Sequence, residues 1–383
     1  MNNTLDILER LIAFPTVSAN SNLPMIEWLC DYLSTRGFVI HKITDETGMK
    51  AGLFASIGPA IDGGILLSAH SDVVPVTGQN WTREPFKLTR DTDRVYGRGT
   101  TDMKGYLASV IALADKASHQ NLKQPLKLAI SYDEEIGCVG IKRMIQHLDR
   151  SIGKPAMCIV GEPTSMRIAT GHKGKAAFKV ICNGENGHSA MAPKFINALH
   201  VATDYITQIR NLQDEYAAKA PKNNGYDIPF STLHIGQMSG GTALNIVPSF
   251  AEIDFEYRHI PEHEPIEIEK QLAKIANRIN EDYSSIQISS VVVIEKINAY
   301  PGLNTPENCD VVSFVGNLAK SGDPICVPFG TEAGYFDGLG IPTVVCGPGS
   351  MDEQGHKPDE NIALSQLRAC DLMHDKLLDH LIS

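Results

Sequence analysis

Gly63-Gly64-Ile65-Leu66-Leu67-Ser68-Ala69-His70-Ser71-Asp72 places a short apolar run between a glycine pair and a polar end. A run of this length, bounded by turn residues, predicts a buried strand. The pattern returns three times. Leu126-Lys127-Leu128-Ala129-Ile130-Ser131 runs into Asp133-Glu134-Glu135, and Ala156-Met157-Cys158-Ile159-Val160 runs into Gly161-Glu162-Pro163. Pro342-Thr343-Val344-Val345-Cys346 leads past Gly347-Pro348-Gly349 to His356. Helical apolar spacing over 106–118, 141–148 and 311–320 lies between or beside these runs. Strands alternating with helices predict an α/β fold with a mainly parallel sheet. In such sheets ligands bind just outside the carboxyl ends of the strands, so the four polar ends are expected to converge.

From about Lys175 the texture changes. Strands are expected over 176–181, 250–257 and 287–296, with helices over 196–212 and 267–279. Two helices between separated strands predict a small α+β sandwich. The economical organisation is a discontinuous α/β catalytic domain, 1–174 and 297–383, interrupted by a domain over 175–296. The inserted piece, of roughly a hundred residues, is of ordinary domain size. The first residues form a short amphipathic helix with Thr4 as its expected N-cap.

Composition narrows the function. The 383 residues are 43% hydrophobic and 21% charged, a globular composition. The net charge of −11 and the lack of a Lys/Arg run argue against a nucleic-acid partner. No apolar stretch approaches bilayer-spanning length, and charges interrupt the N-terminal segment where a secretion signal would be apolar. The eight cysteines are scattered without a Cys-x-x-Cys pair, which fits a reducing cytoplasm and speaks against a thiolate metal site.

What remains at the strand ends is a nitrogen and oxygen donor set, the imidazoles of His70 and His356 and several carboxylates among Asp72, Asp133, Glu134, Glu135 and Glu162, which Asp102 just ahead of a predicted helix can join. Such a set suits zinc, or cobalt or manganese. Taken singly, an acid after a strand is usually a turn or cap residue, and adjacent acids such as Glu134-Glu135 are usually solvated. The repetition of one placement at four strand ends is what favours a metal site.

The motifs go further as a set. His70-Ser71-Asp72-Val73-Val74-Pro75, Tyr96-Gly97-Arg98-Gly99-Thr100-Thr101-Asp102-Met103-Lys104-Gly105, Asp133-Glu134-Glu135 and Gly161-Glu162-Pro163-Thr164 resemble the aminoacylase/carboxypeptidase G family of two-zinc exopeptidases and deacylases. Gly187-His188-Ser189-Ala190, Gly240-Gly241-Thr242 leading to Asn245-Ile246-Val247-Pro248, and Arg258 extend the resemblance over nearly the whole chain. It implies a zinc-exopeptidase-like catalytic domain with an inserted lid and dimerisation domain, and a homodimer. It further implies that His70 and Glu162 bind one metal, Glu135 and His356 the other, and Asp102 both. Asp72 would orient His70, Glu134 would be the general base, and His188 would reach the active site of the partner subunit. Without the resemblance His188 would read as a surface turn histidine.

Gly171-His172-Lys173-Gly174 and Gly330-Thr331-Glu332-Ala333 resemble the branch that deacetylates N2-acetyl-L-ornithine in arginine biosynthesis. Asn245 and Arg258 are then substrate-binding candidates, Arg258 as a fork for the α-carboxylate. Glu332 is a candidate partner for a cationic side chain, and otherwise a loop carboxylate facing water. The rival substrates are succinyl-diaminopimelate and a broader range of N-acyl amino acids. A metal-free binding or regulatory relative is the non-enzyme alternative, and it predicts missing ligands, whereas all five are present.

Overall fold

The computed structural model describes residues 2–18, 20–221, 225–283 and 290–383. The chain divides into two compact units, Met1–His172 with Leu303–Ser383, and Lys173–Gly302. In chain order the strands used below are β1 (Val39–Thr44), β2 (Ala51–Ile57), β3 (Ile65–His70), β4 (Leu126–Ser131), β5 (Met157–Pro163) and β6 (Ala169–His172). They continue with β7 (Gly174–Asn183), β8 (Thr232–Gly240), β9 (Phe250–His259), β10 (Val292–Tyr300), β11 (Leu303–Asn304), β12 (Ile325–Val327) and β13 (Thr343–Gly347). The helices are α1 (Asn2–Ile12), α2 (Leu23–Ser34), α3 (Lys104–Ala117), α4 (Ala198–Ala218), α5 (Pro265–Asp282), α6 (Asp310–Ala319) and α7 (Leu364–Ile382).

In the first unit the sheet order is β1-β2-β4-β3-β5-β13-β6-β11, with β12 paired to β6. The sheet is mixed, which corrects the expectation of a mainly parallel one. Only the centre, β4-β3-β5-β13, runs parallel throughout. Both of its flanks are antiparallel, through β1-β2-β4 on one side and β13-β6-β11 on the other. All residues of β3 and β4 are buried, as a strand covered by helices on both faces requires. The four parallel strands are those whose carboxyl ends carry the candidate ligands, so their shared direction brings those ends to one edge.

Apolar faces of α1, α2, α3, α6 and α7 fill the core around this sheet. Nearly every residue of α3 is buried. Its Tyr106 ring lies so close to β5 that a Cβ on Gly161 would fall 2.0 Å from it. Glycine is therefore required there, immediately before Glu162. Thr4 does not cap α1: it lies within the helix, buried, and its hydroxyl donates to Asp371 at 3.0 Å. The helix expected over 141–148 is broken into Val139–Met144, a single 3₁₀ turn and Leu148–Ile152.

The second unit is a four-stranded antiparallel sheet in the order β8-β9-β7-β10. Helices α4 and α5 bury their apolar stripes against it. The strand and helix order β-α-β-β-α-β with this pairing is the ferredoxin-like arrangement. Strand β10 begins later than expected, at Val292, and residues 287–289 of the expected strand lie outside the described residues. The alternation of β9 is real: its inward residues Ala251, Ile253, Phe255 and Tyr257 are buried. Its outward residues join a charged ladder in which Lys175 pairs with Glu256 at 2.6 Å and Lys179 with Glu252 at 2.5 Å.

Candidate metal centre

His70 ends β3 and is buried. Its Nδ1 lies 3.0 Å from the Asp72 carbonyl oxygen and 3.4 Å from Asp72 Oδ1. This leaves Nε2 facing the acids, 3.0 Å from Asp102 Oδ1 and 3.7 Å from Glu162 Oε1. His356 approaches from the turn that follows β13, with Nε2 3.1 Å from Asp102 Oδ2 and 2.9 Å from Glu135 Oε2. Asp102 thus gives one oxygen to each imidazole. Among the described residues two groups bring metal-ligating atoms within 4.8 Å of one another, His70-Asp102-Glu162 and Asp102-Glu135-His356. They share Asp102.

Asp72 does more than stand beside His70. Its carboxylate accepts from Ser18 Oγ at 2.8 Å and from the backbone N–H of Glu134 and Glu135 at 3.1 and 3.3 Å. It therefore ties the end of β3 to the turn after β4. That turn is further held by an ion pair between Lys50 and Asp133, whose φ of 54° is left-handed. Adjacent residues in such a turn point differently. Glu135 meets His356, while Glu134 is outside both groups, its Oε1 3.4 Å from Cys138 Sγ.

The electrostatics fit a cation. Burial, reinforced by Asp102, raises Glu162 well above the usual carboxylate range and Glu135 to about 7. Hydrogen bonds to Asp102 and Glu135 raise His356 to about 10. Burial opposes charge on His70, yet Asp102 and Asp72 hold its pKa well above the ordinary imidazole value. Crowded acids that retain protons, and imidazoles that gain them, mark a place where positive charge is needed. Divalent cations supply that charge. Glu135 Oε1 and Glu162 Oε1 are also buried without a hydrogen-bond partner among the described residues, a costly state for an acceptor unless an ion meets it.

The other candidates fall elsewhere. His188, Asn245 and Arg258 belong to the second unit. There His188 and Asn245 are brought together: Ser189 N–H donates to the Asn245 carbonyl at 3.1 Å, and His188 pairs with Ile246. Both residues are exposed. Arg258 lies on β9, its Nε donating to Glu256 at 2.9 Å. Glu332 is not a water-facing loop acid. It is 1% exposed, its carboxylate accepts from Ser131 and from Ser68 at 3.4 Å, and burial raises its pKa to about 7. Its place against the sheet excludes the water-facing alternative.

The model of Peptidase family M20/M25/M40 matches residues 66–380, a span that contains every candidate ligand. The chain belongs to that family. It is 35% identical over 368 residues to an acetylornithine deacetylase of Pasteurella multocida, covering 93% of this chain and 92% of the relative. An acetylornithine deacetylase of Shigella sonnei is 32% identical over 367 residues, with the same coverage. Among solved structures, an M20 family metallo-carboxypeptidase from Sulfolobus solfataricus shares the fold with a TM-score of 0.78 at 20% identity, covering 100% of this chain and 99% of that one. A Staphylococcus aureus tripeptidase gives 0.75 at 19% identity, covering 100% and 97%. As an M20 peptidase relative the chain is a metal-dependent hydrolase. No helix among its described residues is long and apolar enough to cross a membrane.

One residue with a large share in the site carried no role in the sequence reading. Glu360, four residues after His356, is buried and accepts the backbone N–H groups of Thr101 and Asp102 at 2.9 and 3.0 Å. Its signal was its place at the end of the Gly355-His356-Lys357-Pro358-Asp359-Glu360 motif.

Proposed function

We propose that the chain is a two-zinc amidohydrolase that removes the acetyl group from N2-acetyl-L-ornithine, giving ornithine and acetate. The observation that carries the reaction class is the shared carboxylate, Asp102 Oδ1 facing His70 and Oδ2 facing His356. The substrate rests on the acetylornithine deacetylases that the chain resembles over 93% of its length. His70, Asp102 and Glu162 would hold one zinc, and Asp102, Glu135 and His356 the other, with cobalt or manganese as substitutes. When bound, such a pair lowers the pKa of water and polarises an amide carbonyl.

Glu134 is the general base of this reading. Its neighbour Glu135 is engaged by His356, and burial raises Glu134 well above the usual carboxylate range, as a group that accepts and then returns a proton requires. It takes the proton of the attacking water and delivers it to the departing amine. Asp72 orients His70 through the Nδ1 side. Arg258 would grip the α-carboxylate with the guanidinium donors that Glu256 leaves free. Asn245 would bind substrate beside His188, whose imidazole would donate to the oxyanion. The eight free thiols suit a reducing cytoplasm.

A homodimer follows from the same reading. Strand β8 lies at the edge of its sheet, and a twofold axis can continue an open edge. His188 of one chain would then complete the site of the other. Mixing inactive His188→Ala with inactive Glu134→Gln subunits should restore part of the activity. With subunit exchange demonstrated, no return of activity places His188 within its own chain or outside catalysis. The substrate is tested by amine release from a panel of N-acyl amino acids with zinc present. Acetylornithine should lead the panel; equal or faster release from succinyl-diaminopimelate or from uncharged acetyl amino acids would replace the proposed substrate.

A further inference from the structure

A single buried ion pair joins the segments that carry the shared ligand and the exposed histidine. The short strand Arg94–Tyr96 pairs antiparallel with Asn361–Ala363, Asn361 opposite Tyr96. This sets Glu360 against the loop that leads to Asp102. Its Oε1 accepts from Thr101 N–H at 2.9 Å and Asp102 N–H at 3.0 Å, its Oε2 from Gly99 N–H at 3.0 Å and Arg98 Nη1 at 2.6 Å. Four donors converge on one carboxylate, and both members of the Arg98–Glu360 pair are about 1% exposed.

Arg98 carries the connection onward. Its Nη1 also donates to the Lys357 carbonyl at 3.3 Å, and its Nη2 donates to Gln79 Oε1. Gln79 Nε2 in turn donates to the His356 carbonyl at 2.9 Å. His356 needs such support. Its side chain is 47% exposed and its backbone φ is 60°, whereas the side chains of His70, Asp102 and Glu162 are at most 4% exposed.

We infer that Glu360 is a positioning residue for the shared Asp102 carboxylate, and that Arg98 and Gln79 extend its hold to His356. Glu360 therefore acts on both metal sites and Gln79 on one. The inference rests on the two-metal reading of the centre. In Glu360→Gln an amide NH₂ must face donors that now meet an oxygen, so the Asp102 loop loses two of its anchors. In Gln79→Ala the half-buried side chain no longer donates to the His356 carbonyl and Arg98 and Trp81 lose an acceptor, while the hold of Glu360 on the Thr101 and Asp102 N–H groups stays in place.

The test is calorimetric titration of metal-free wild type and variants with zinc, with cobalt absorption spectra of the same proteins and unfolding curves to establish folding. Wild type should take up two ions per chain; failure to do so overturns the two-metal reading itself. With wild type binding two, Glu360→Gln should lose about tenfold or more in affinity at both sites. Gln79→Ala should lose about tenfold at one site and keep the other. Wild-type affinities in folded Glu360→Gln, or equal effects of Gln79→Ala at both sites or at neither, overturn the inference. Should Glu360→Gln not fold, the one-site loss in Gln79→Ala decides it.

Discussion

At the scale of the residue, the site turns on how two adjacent acids diverge. Glu135 reaches His356 at 2.9 Å, while Glu134 lies in neither ligand group. Glu134→Gln should therefore abolish turnover with zinc content near wild type, and Glu135→Gln should lower the zinc content. Metal analysis alongside an acetate-release assay separates the two, and equal zinc in both variants would mean that the roles are misassigned. The metal candidates were legible because His70, Glu135 and Glu162 stand at or just after the ends of apolar strands and Asp102 just before a helix, whereas His356, nine residues past the end of β13, and the choice among the acids rested on the resemblance. The surroundings of Glu332 were not legible, for the opposite reason. It also flanks a helix, Ala333–Asp337, but its carboxylate points into the sheet toward Ser131 and Ser68, a direction no spacing encodes. Glu360 was overlooked because its partners, the Arg98 guanidinium and backbone N–H groups, lie more than 250 positions earlier in the chain, and its place in a motif does not say which groups it binds.

At the scale of the element, buried runs such as β3 and β4 announce themselves, since burial on both faces demands unbroken apolar character. Strand β8, Thr232–Gly240, did not, because it is an edge strand whose residues are mostly exposed and include two glycines. The parallel centre followed from the alternation of strands and helices; the antiparallel flanks did not, since nothing local sets their direction. Among the helices, α1, α3 and α7 meet at a buried polar knot. His374 of α7 lies 2.8 Å from Ser109 of α3, and both Ser109 and Thr4 of α1 donate to Asp371. Burial pushes the His374 pKa down to about 4, against the opposing influence of Asp371 and Asp375. The unfolded imidazole titrates near 6.5, so between about 6.5 and 4 the unfolded chain binds a proton that the folded chain refuses. Stability is complete above that window and falls as pH drops through it, by about 3 kcal/mol. Denaturant titrations from pH 7.5 to 4 should show this fall shrinking by that amount in His374→Gln. An unchanged slope would show that His374 is charged in the fold.

At the scale of the whole molecule, the chain assigns its chemistry to separate compact units. All five candidate ligands and the candidate base lie in the unit of the large sheet, while His188, Asn245 and Arg258 lie in the ferredoxin-like unit. The α/β texture, its interruption and its resumption could be read from where apolar runs stop alternating with helices and begin alternating with charges. In the proposed reaction a zinc pair built on Asp102 drives removal of acetate from N2-acetyl-L-ornithine. Its most direct test is acetate release from that compound while zinc is titrated into metal-free protein. Release should be absent without metal and should rise to saturation near two zinc ions per chain. Undiminished release from the metal-free protein in chelator, or no release at any zinc concentration from a folded, two-zinc protein, would contradict it.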